Sequence, residues 1–188
     1  MKKLSDEILW KSLKEGDLKA FGALFKNYYS SLYNYGLKIS GDKIITEDSL
    51  QDFFMYVYEH RENLSDLNTI APYLFTSYRR FIIKVLQKNQ KTRMLRNVDE
   101  NIIDIQFTPE ELLTNQEATT FRNKNLTILL NKLPKRQREV LYLKYHCNLK
   151  TQEIADIMAI NYQSVVNNIH KAIKSLREEI KILQLFNS

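Results

Sequence analysis

Residues Asn148-Leu-Lys-Thr-Gln-Glu-Ile-Ala-Asp-Ile-Met-Ala-Ile-Asn161 run directly into Tyr162-Gln-Ser-Val-Val-Asn-Asn-Ile-His-Lys-Ala-Ile-Lys-Ser-Leu-Arg177. The pair reads as a short helix, a tight turn and a longer helix. Ala155 is small enough to let two helices cross closely, and Asn161 is a side chain that caps a helix start by accepting from its free amides. The pattern is that of a helix-turn-helix. In the longer helix Val165, Ile169, Ala172, Leu176 and Leu183 fall on one face at helical spacing, while Gln163, Asn167, His170, Lys171 and Lys174 fall on the other. A row of amides and cations suits the DNA major groove, where Gln and Asn pair with the adenine edge and Lys meets guanine or phosphate. A solvated polar face on a core helix fits this one helix equally well; the turn before it favours DNA.

Outward from this stretch, charge is the next guide. The 188-residue chain carries a net charge of +6, unevenly spread. Residues 1–70 sum to −2, residues 71–96 to +7, residues 97–120 to −6 and residues 121–188 to +7. Two basic segments separated by an acidic one suggest two separate contacts with nucleic acid. With 4 glycines and 3 prolines, plentiful Leu, Ile, Lys and Glu, and no useful strand alternation, the chain is expected to be all-α. One cysteine, Cys147, excludes an internal disulfide framework, and no apolar run approaches the length of a membrane span. Without a signal peptide pattern, these features predict a soluble, cytoplasmic protein with no direct membrane insertion.

The first half divides at turn residues. Ser5 can cap a short helix with Ile8, Leu9 and Leu13, stopped by Gly16, and Asp17 can cap the next. That second helix carries Leu18, Phe21, Leu24, Phe25, Tyr28, Leu32 and Tyr35 at helical spacing and ends near Ser40-Gly41-Asp42; so aromatic a stripe reads as core. In Thr46 to Glu59 the apolar face is Leu50, Phe53, Phe54 and Val57, with Asp48, Asp52 and Glu59 on the other side. Paired carboxylates suggest general acid-base chemistry or a metal site, but no His ligand, Gly-rich loop or second carboxylate cluster accompanies them. An acidic face that docks on a basic protein is the better functional reading, beside a merely solvated one.

Residues 62–70 read as a loop, and Pro72 starts a long helix whose buried face is Leu74, Tyr78, Phe81, Ile82 and Val85. Tyr73, Arg80, Lys84, Gln87 and Lys91 project from its other face, with Arg79 at the boundary. Cations interleaved with an aromatic suit a strand being opened, where one group tracks phosphate and the other stacks a base. Duplex phosphate binding or an ordinary basic face fit that helix as well.

Between about Arg96 and Ala118 the period fades and acidic residues dominate, so this stretch is expected to be the linker between domains of residues 1–95 and 119–188. Some twenty extended residues at roughly 3.3 Å each would reach beyond about 60 Å. The second domain opens with a helix through Phe121, Leu126, Ile128, Leu129, Leu130 and Leu133, and Pro134 starts the one before the helix-turn-helix. His60, His146 and His170 have no metal-ligand spacing with each other or with Cys147, and no nucleophile elbow, P-loop or dinucleotide fingerprint appears. No cofactor and no catalytic residue is expected.

In order and spacing, the chain resembles the bacterial RNA polymerase sigma factors of the sigma-70 family, in the extracytoplasmic-function (ECF) branch, which keeps only sigma domains 2 and 4. In the first half the resemblance rests on Ala20 through Tyr33, Gly41-Asp42, Glu47 through Phe54 and Pro72 through Arg79. In the second it rests on Leu133 through Leu141, Glu153-Ile-Ala155, Ser164-Val165 and Ala172 through Arg177. It implies two small helical domains joined by the acidic linker, and a protein that does no bond chemistry but confers promoter recognition and strand opening on core RNA polymerase.

The same resemblance implies roles for residues. Asp48, Gln51 and Asp52 align with the segment that grips the clamp coiled coil of the largest polymerase subunit. The loop before the basic helix, with Tyr73, Arg79, Arg80, Lys84, Gln87 and Lys91, aligns with the part that captures and melts the minus-10 element of promoter DNA. Gln163, Ser164, Asn167, His170, Lys171 and Lys174 align with the reader of the minus-35 element, and the linker with a segment threaded toward the polymerase active site. ECF membership also implies that an anti-sigma factor sequesters such a protein. Lys150 stands where a capping Ser is common, Arg80 where Asn is frequent, and Val166 and Asn168 where basic residues are. The alternative is a free-standing LuxR-type helix-turn-helix regulator, which would have to account for a first half without a receiver-domain pattern.

Overall fold

The computed structural model describes residues 5–67, 69–91, 103–112 and 120–186. Among them the regular elements are helices: α1 (Asp6–Lys14), α2 (Leu18–Ser40), α3 (Lys43–Glu59), α4 (Ala71–Lys91), α5 (Thr120–Lys132), α6 (Lys135–Tyr145), α7 (Thr151–Met158) and α8 (Tyr162–Phe186), with short 3-10 turns at Arg61–Asn63 and Pro109–Leu112. The described residues form two compact units, the first holding α1 to α4 and the second holding residues 103–112, α5, α6 and α8.

In the first unit the turn chemistry sets the helix ends. The Asp17 carboxylate accepts from the Lys19 amide and caps α2, Gly41 takes the left-handed conformation (φ 68°) that closes it, and Asp42 accepts from the Ile45 amide to start α3. Ser5 precedes α1 without a side-chain cap. Leu24, Leu32 and Tyr35 of α2, Leu50, Phe53, Phe54 and Val57 of α3, and Leu74, Phe75, Tyr78, Ile82 and Ile83 of α4 form the core. Ile8 and Leu18, expected on apolar faces, are exposed, and Phe81 and Val85 are half-buried; the arc of α4 that faces the core is shifted toward Phe75 and Ile83.

The three helices meet at Tyr78. A Cβ at Gly36 would lie within 3.0 Å of three atoms of the Tyr78 phenol, so the ring end fits only because α2 offers a glycine there. The hydroxyl donates to the Thr46 carbonyl at 3.3 Å and lies 3.3 Å from Ser49 Oγ, both on α3. Burial pushes this phenol up to about 12.

In the second unit α6 packs on α8, and α7 turns into α8 through Ala159 (φ 52°). Asn161 caps α8 as its type foretold, its Oδ1 accepting from the Ser164 amide at 2.7 Å. At the start of α7, where Lys150 cannot cap, the Glu153 carboxylate reaches back to accept from the Lys150 amide at 2.7 Å.

The segment expected to be linker departs from that expectation over residues 103–107. Ile103, Ile105 and Phe107 are buried, alternating with exposed Asp104 and Gln106, and belong to the second unit. The Asn131 side chain brackets Phe107, accepting from its amide at 2.8 Å and donating to its carbonyl at 3.0 Å. Arg138, itself buried, donates to the Asn131 carbonyl at 2.7 Å and pairs with Asp104, which Lys135 also meets at 3.0 Å. An apolar face and these polar contacts hold this piece down, so it does not contribute to an extended tether. The 3-10 turn at Pro109–Leu112 follows it, while 96–102 and 113–118, and both proposed boundaries at 95/96 and 118/119, lie outside the described residues.

Candidate nucleic-acid interface

On α3 the core residues occupy one face and leave Asp48, Gln51 and Asp52 together on the other, all exposed, with Glu59 two turns further along. Their apolar neighbours, which no sequence motif marks, are exposed as well: Ile44 is 70% exposed and Met55 53% exposed. Residues 44, 48, 51, 52 and 55 share one helical face. Two large apolar side chains at helical spacing from the carboxylates, yet off the buried stripe, were the available signal. Such a face is both acidic and partly apolar, which suits a protein partner better than solvent.

Helix α4 presents Arg80 and Lys84 to solvent one turn apart, above a core-facing arc. Arg79 and Gln87 are half-buried and engaged with neighbours. Tyr73, expected to project freely with the cations, is half-buried with its ring edge-on to Trp10 at 5.3 Å, and burial raises its phenol above the ordinary value. The Lys91 side chain lies outside the described residues. Residues 61–70 precede this helix, with Glu62, Asn63, Ser65 and Asp66 facing outward and Ile70 buried.

On α8, Val165 and Ala172 are fully buried and Ile169 and Leu176 half-buried, while Gln163, Asn167, His170, Lys171 and Lys174 are exposed. Ser164 is half-buried beside the capped end, and the Leu183 side chain lies outside the described residues, as does that of Phe121 on α5. Gln163 Nε2 donates to Asn167 Oδ1 at 3.1 Å, so the two amides are already joined. Lys174 lies 4.0 Å from Glu178, an exposed pair that a phosphate would readily displace.

Among the described residues there is no group of three His, Cys, Asp or Glu placed to hold a metal, and no helix long and apolar enough to cross a membrane. Cys147 is mostly buried, which pushes its thiol up to about 12.

Comparison with known proteins finds relatives over most of the chain. Residues 24–92 fit the family described as Sigma-70 region 2 and residues 124–176 the one described as Sigma-70, region 4, together more than half of the chain. The ECF RNA polymerase sigma factor SigM of Bacillus subtilis is 27% identical over 156 residues, covering 81% of this chain and 92% of its own. SigL of Mycobacterium tuberculosis is 25% identical over 156 residues, covering 82% and 85%. In fold, CnrH, solved in complex with the cytosolic domain of CnrY, superposes with a TM-score of 0.62 at 18% identity over 94% of this chain and 97% of that one. RpoE of Bartonella quintana, solved with the anti-sigma factor NepR, gives 0.59 at 16% over 88% and 99%. The first half, which a free-standing LuxR-type regulator leaves without explanation, is accounted for by the region 2 match. With both sigma regions present in order and ECF relatives spanning most of its length, the chain belongs to the ECF branch of the sigma-70 family, the RNA polymerase sigma factors that direct promoter-specific transcription.

Proposed function

We propose that three separate faces divide the work of this sigma factor. Asp48, Gln51 and Asp52 on α3 grip core polymerase. The segment 61–70 and α4, through Tyr73, Arg79, Arg80, Lys84, Gln87 and Lys91, capture and open the minus-10 element. The α8 face of Gln163, Ser164, Asn167, His170, Lys171 and Lys174 reads the minus-35 element. A domain of residues 1–95, a connection over 96–118 and a domain of 119–188 go with this division, with residues 103–107 docked on the second domain. The chain does no bond chemistry of its own and works in the cytoplasm. Since two sigma factors of this fold were solved with bound partners, one of them an anti-sigma factor, an anti-sigma partner is proposed here too.

The observation that carries the reading is the exposed pair Arg80 and Lys84, one turn apart over a buried apolar arc, on the helix that follows a loop with outward polar side chains. Replacing both with Ala is expected to slow promoter opening roughly tenfold, the scale of two partly screened charge contacts. Closed-complex affinity changes less, and a pre-melted template restores most activity. Equal losses on duplex and pre-melted templates would reduce the helix to a phosphate tracker.

On α8 the joined amides are suited to base edges and the lysines to phosphate. Asn167→Ala is expected to lower preference at one upstream base pair by about 1–3 kcal/mol. Lys174→Ala weakens all sequences alike and lowers the salt dependence by about one phosphate. Holoenzyme binding to a randomised minus-35 element at two salt concentrations separates the two. An unchanged preferred sequence in Asn167→Ala would pass the reading role to a neighbour such as His170.

A further inference from the structure

The segment between α3 and α4 is short on structure of its own. After the 3-10 turn at Arg61–Asn63 residues 64–67 are irregular, with Glu62, Asn63, Ser65 and Asp66 exposed. Its fixed points come from a part of the chain more than fifty residues away. Trp10 of α1 is 1% exposed, donates its indole N–H to the Ser65 carbonyl at 3.0 Å, and meets the ring of Tyr73, on the first turn of α4, edge-on at 5.3 Å. One turn later on the same helix, Lys14 Nζ binds the Asp66 carboxylate at 2.5 Å. Just beyond, Gly16 (φ 90°) leaves room beside the Arg61 side chain: a Cβ there would lie 3.5 Å from Arg61 Nε. Arg61 in turn lies over the Tyr58 ring, 4.7 Å from its centroid, and donates to the Tyr58 carbonyl at 3.0 Å.

These contacts differ from ordinary core packing. A buried indole can find its partner anywhere, yet here its one N–H is spent on a loop carbonyl, and the ion pair four residues on grips the adjacent loop residue. Two polar anchors on consecutive loop residues fix the path of the backbone, and so the direction in which Glu62, Asn63 and Ser65 face. Leu9 and Leu13, both buried, fix α1 in turn.

We infer that α1 braces the loop, with Trp10 and Lys14 as positioning residues that set its aim and thereby the base selectivity of minus-10 recognition. This rests on the proposed role of segment 61–70 in capturing that element. Neither residue needs to touch DNA. The effect is on discrimination: a loosened loop samples several poses and contacts right and wrong bases with more equal strength.

The test uses the full chain with core polymerase. Trp10→Phe keeps an aromatic ring against Tyr73 and removes the N–H; Lys14→Met removes the ion pair; Lys14→Arg keeps it. Opening is measured on templates carrying each base at each minus-10 position, with core affinity and thermal unfolding as controls. The combined Trp10→Phe, Lys14→Met variant is expected to lose about tenfold in discrimination at one or two positions, as for the loss of two modest polar contacts. Core affinity stays unchanged, and Lys14→Arg retains wild-type selectivity. If opening instead falls equally on all templates, or not at all, α1 only supports the fold and the inference fails. Asn63→Ala and Glu62→Ala separate the two levels. If they shift base preference while the α1 variants do not, the loop reading stands and the brace is overturned; if neither set shifts it, both fall.

Discussion

A variant carrying Asp48→Lys and Asp52→Lys is expected to bind core polymerase about a hundredfold more weakly, with unchanged thermal unfolding. Both carboxylates are exposed and their helix is held by its opposite face, so reversing them costs little stability. At an interface the same change replaces two attractions by two repulsions. Close charge pairs across protein interfaces couple by about 1.5–7 kcal/mol, so some 3 kcal/mol in total is a restrained figure. The loss should appear largely in the association rate and shrink as salt is raised. Binding of the folded double variant at wild-type affinity would remove this face from the polymerase contact. Met55→Ala separates the apolar part of the same face: there the dissociation rate rises, with little salt dependence.

Phe107→Ala is expected to destabilise the second unit by about 3–5 kcal/mol, the usual cost of removing a buried aromatic ring. The ring is 4% exposed and packs toward Tyr142 and His146. Because Asn131 binds the backbone of this residue and Arg138 binds Asp104, loss of the ring also loosens polar contacts that form only while the segment is seated. At several degrees of melting temperature per kcal/mol for a domain of this size, calorimetry of the full chain should show the second unit shifted down by about 15 °C or more. The first unit should stay in place. A shift of only a few degrees would mean that residues 103–107 rest on the surface without supporting it.

Helices, caps and the helix-turn-helix were legible because their signals are local. Asp17, Gly41, Asp42 and Asn161 each act within four residues of themselves, and the apolar stripes of α2, α3 and α8 repeat at helical spacing. What escaped was held by distant partners. Ile103, Ile105 and Phe107 alternate with period two over only five residues in an acidic stretch ahead of a proline, a pattern too short to separate from linker. Its meaning comes from Asn131 and Arg138, more than twenty residues on. Tyr73 looked like one of a row of outward residues because nothing near it names Trp10 as its neighbour. Ile44 and Met55 were passed over for the opposite reason: apolar residues on a helix are assumed to be inward, and these two are not.

The junction at Tyr78 bears on how the first unit assembles. Its notch is on α2, its ring on α4 and its acceptors on α3, with 29 and 32 residues between the hydroxyl and Ser49 and Thr46. A docked pair of α2 and α4 without α3 would bury a phenol that has no acceptor, at about 1–3 kcal/mol. A pair of α2 and α3 would leave the glycine notch unfilled, and a pair of α3 and α4 would leave the ring end uncovered. Every two-helix intermediate is thereby penalised relative to the complete trio, and spans of about thirty residues must close before any of the junction's energy is returned. The expected behaviour is a steep, all-or-none transition of the three helices together, without a populated half-assembled state that would expose the aromatic core to aggregation.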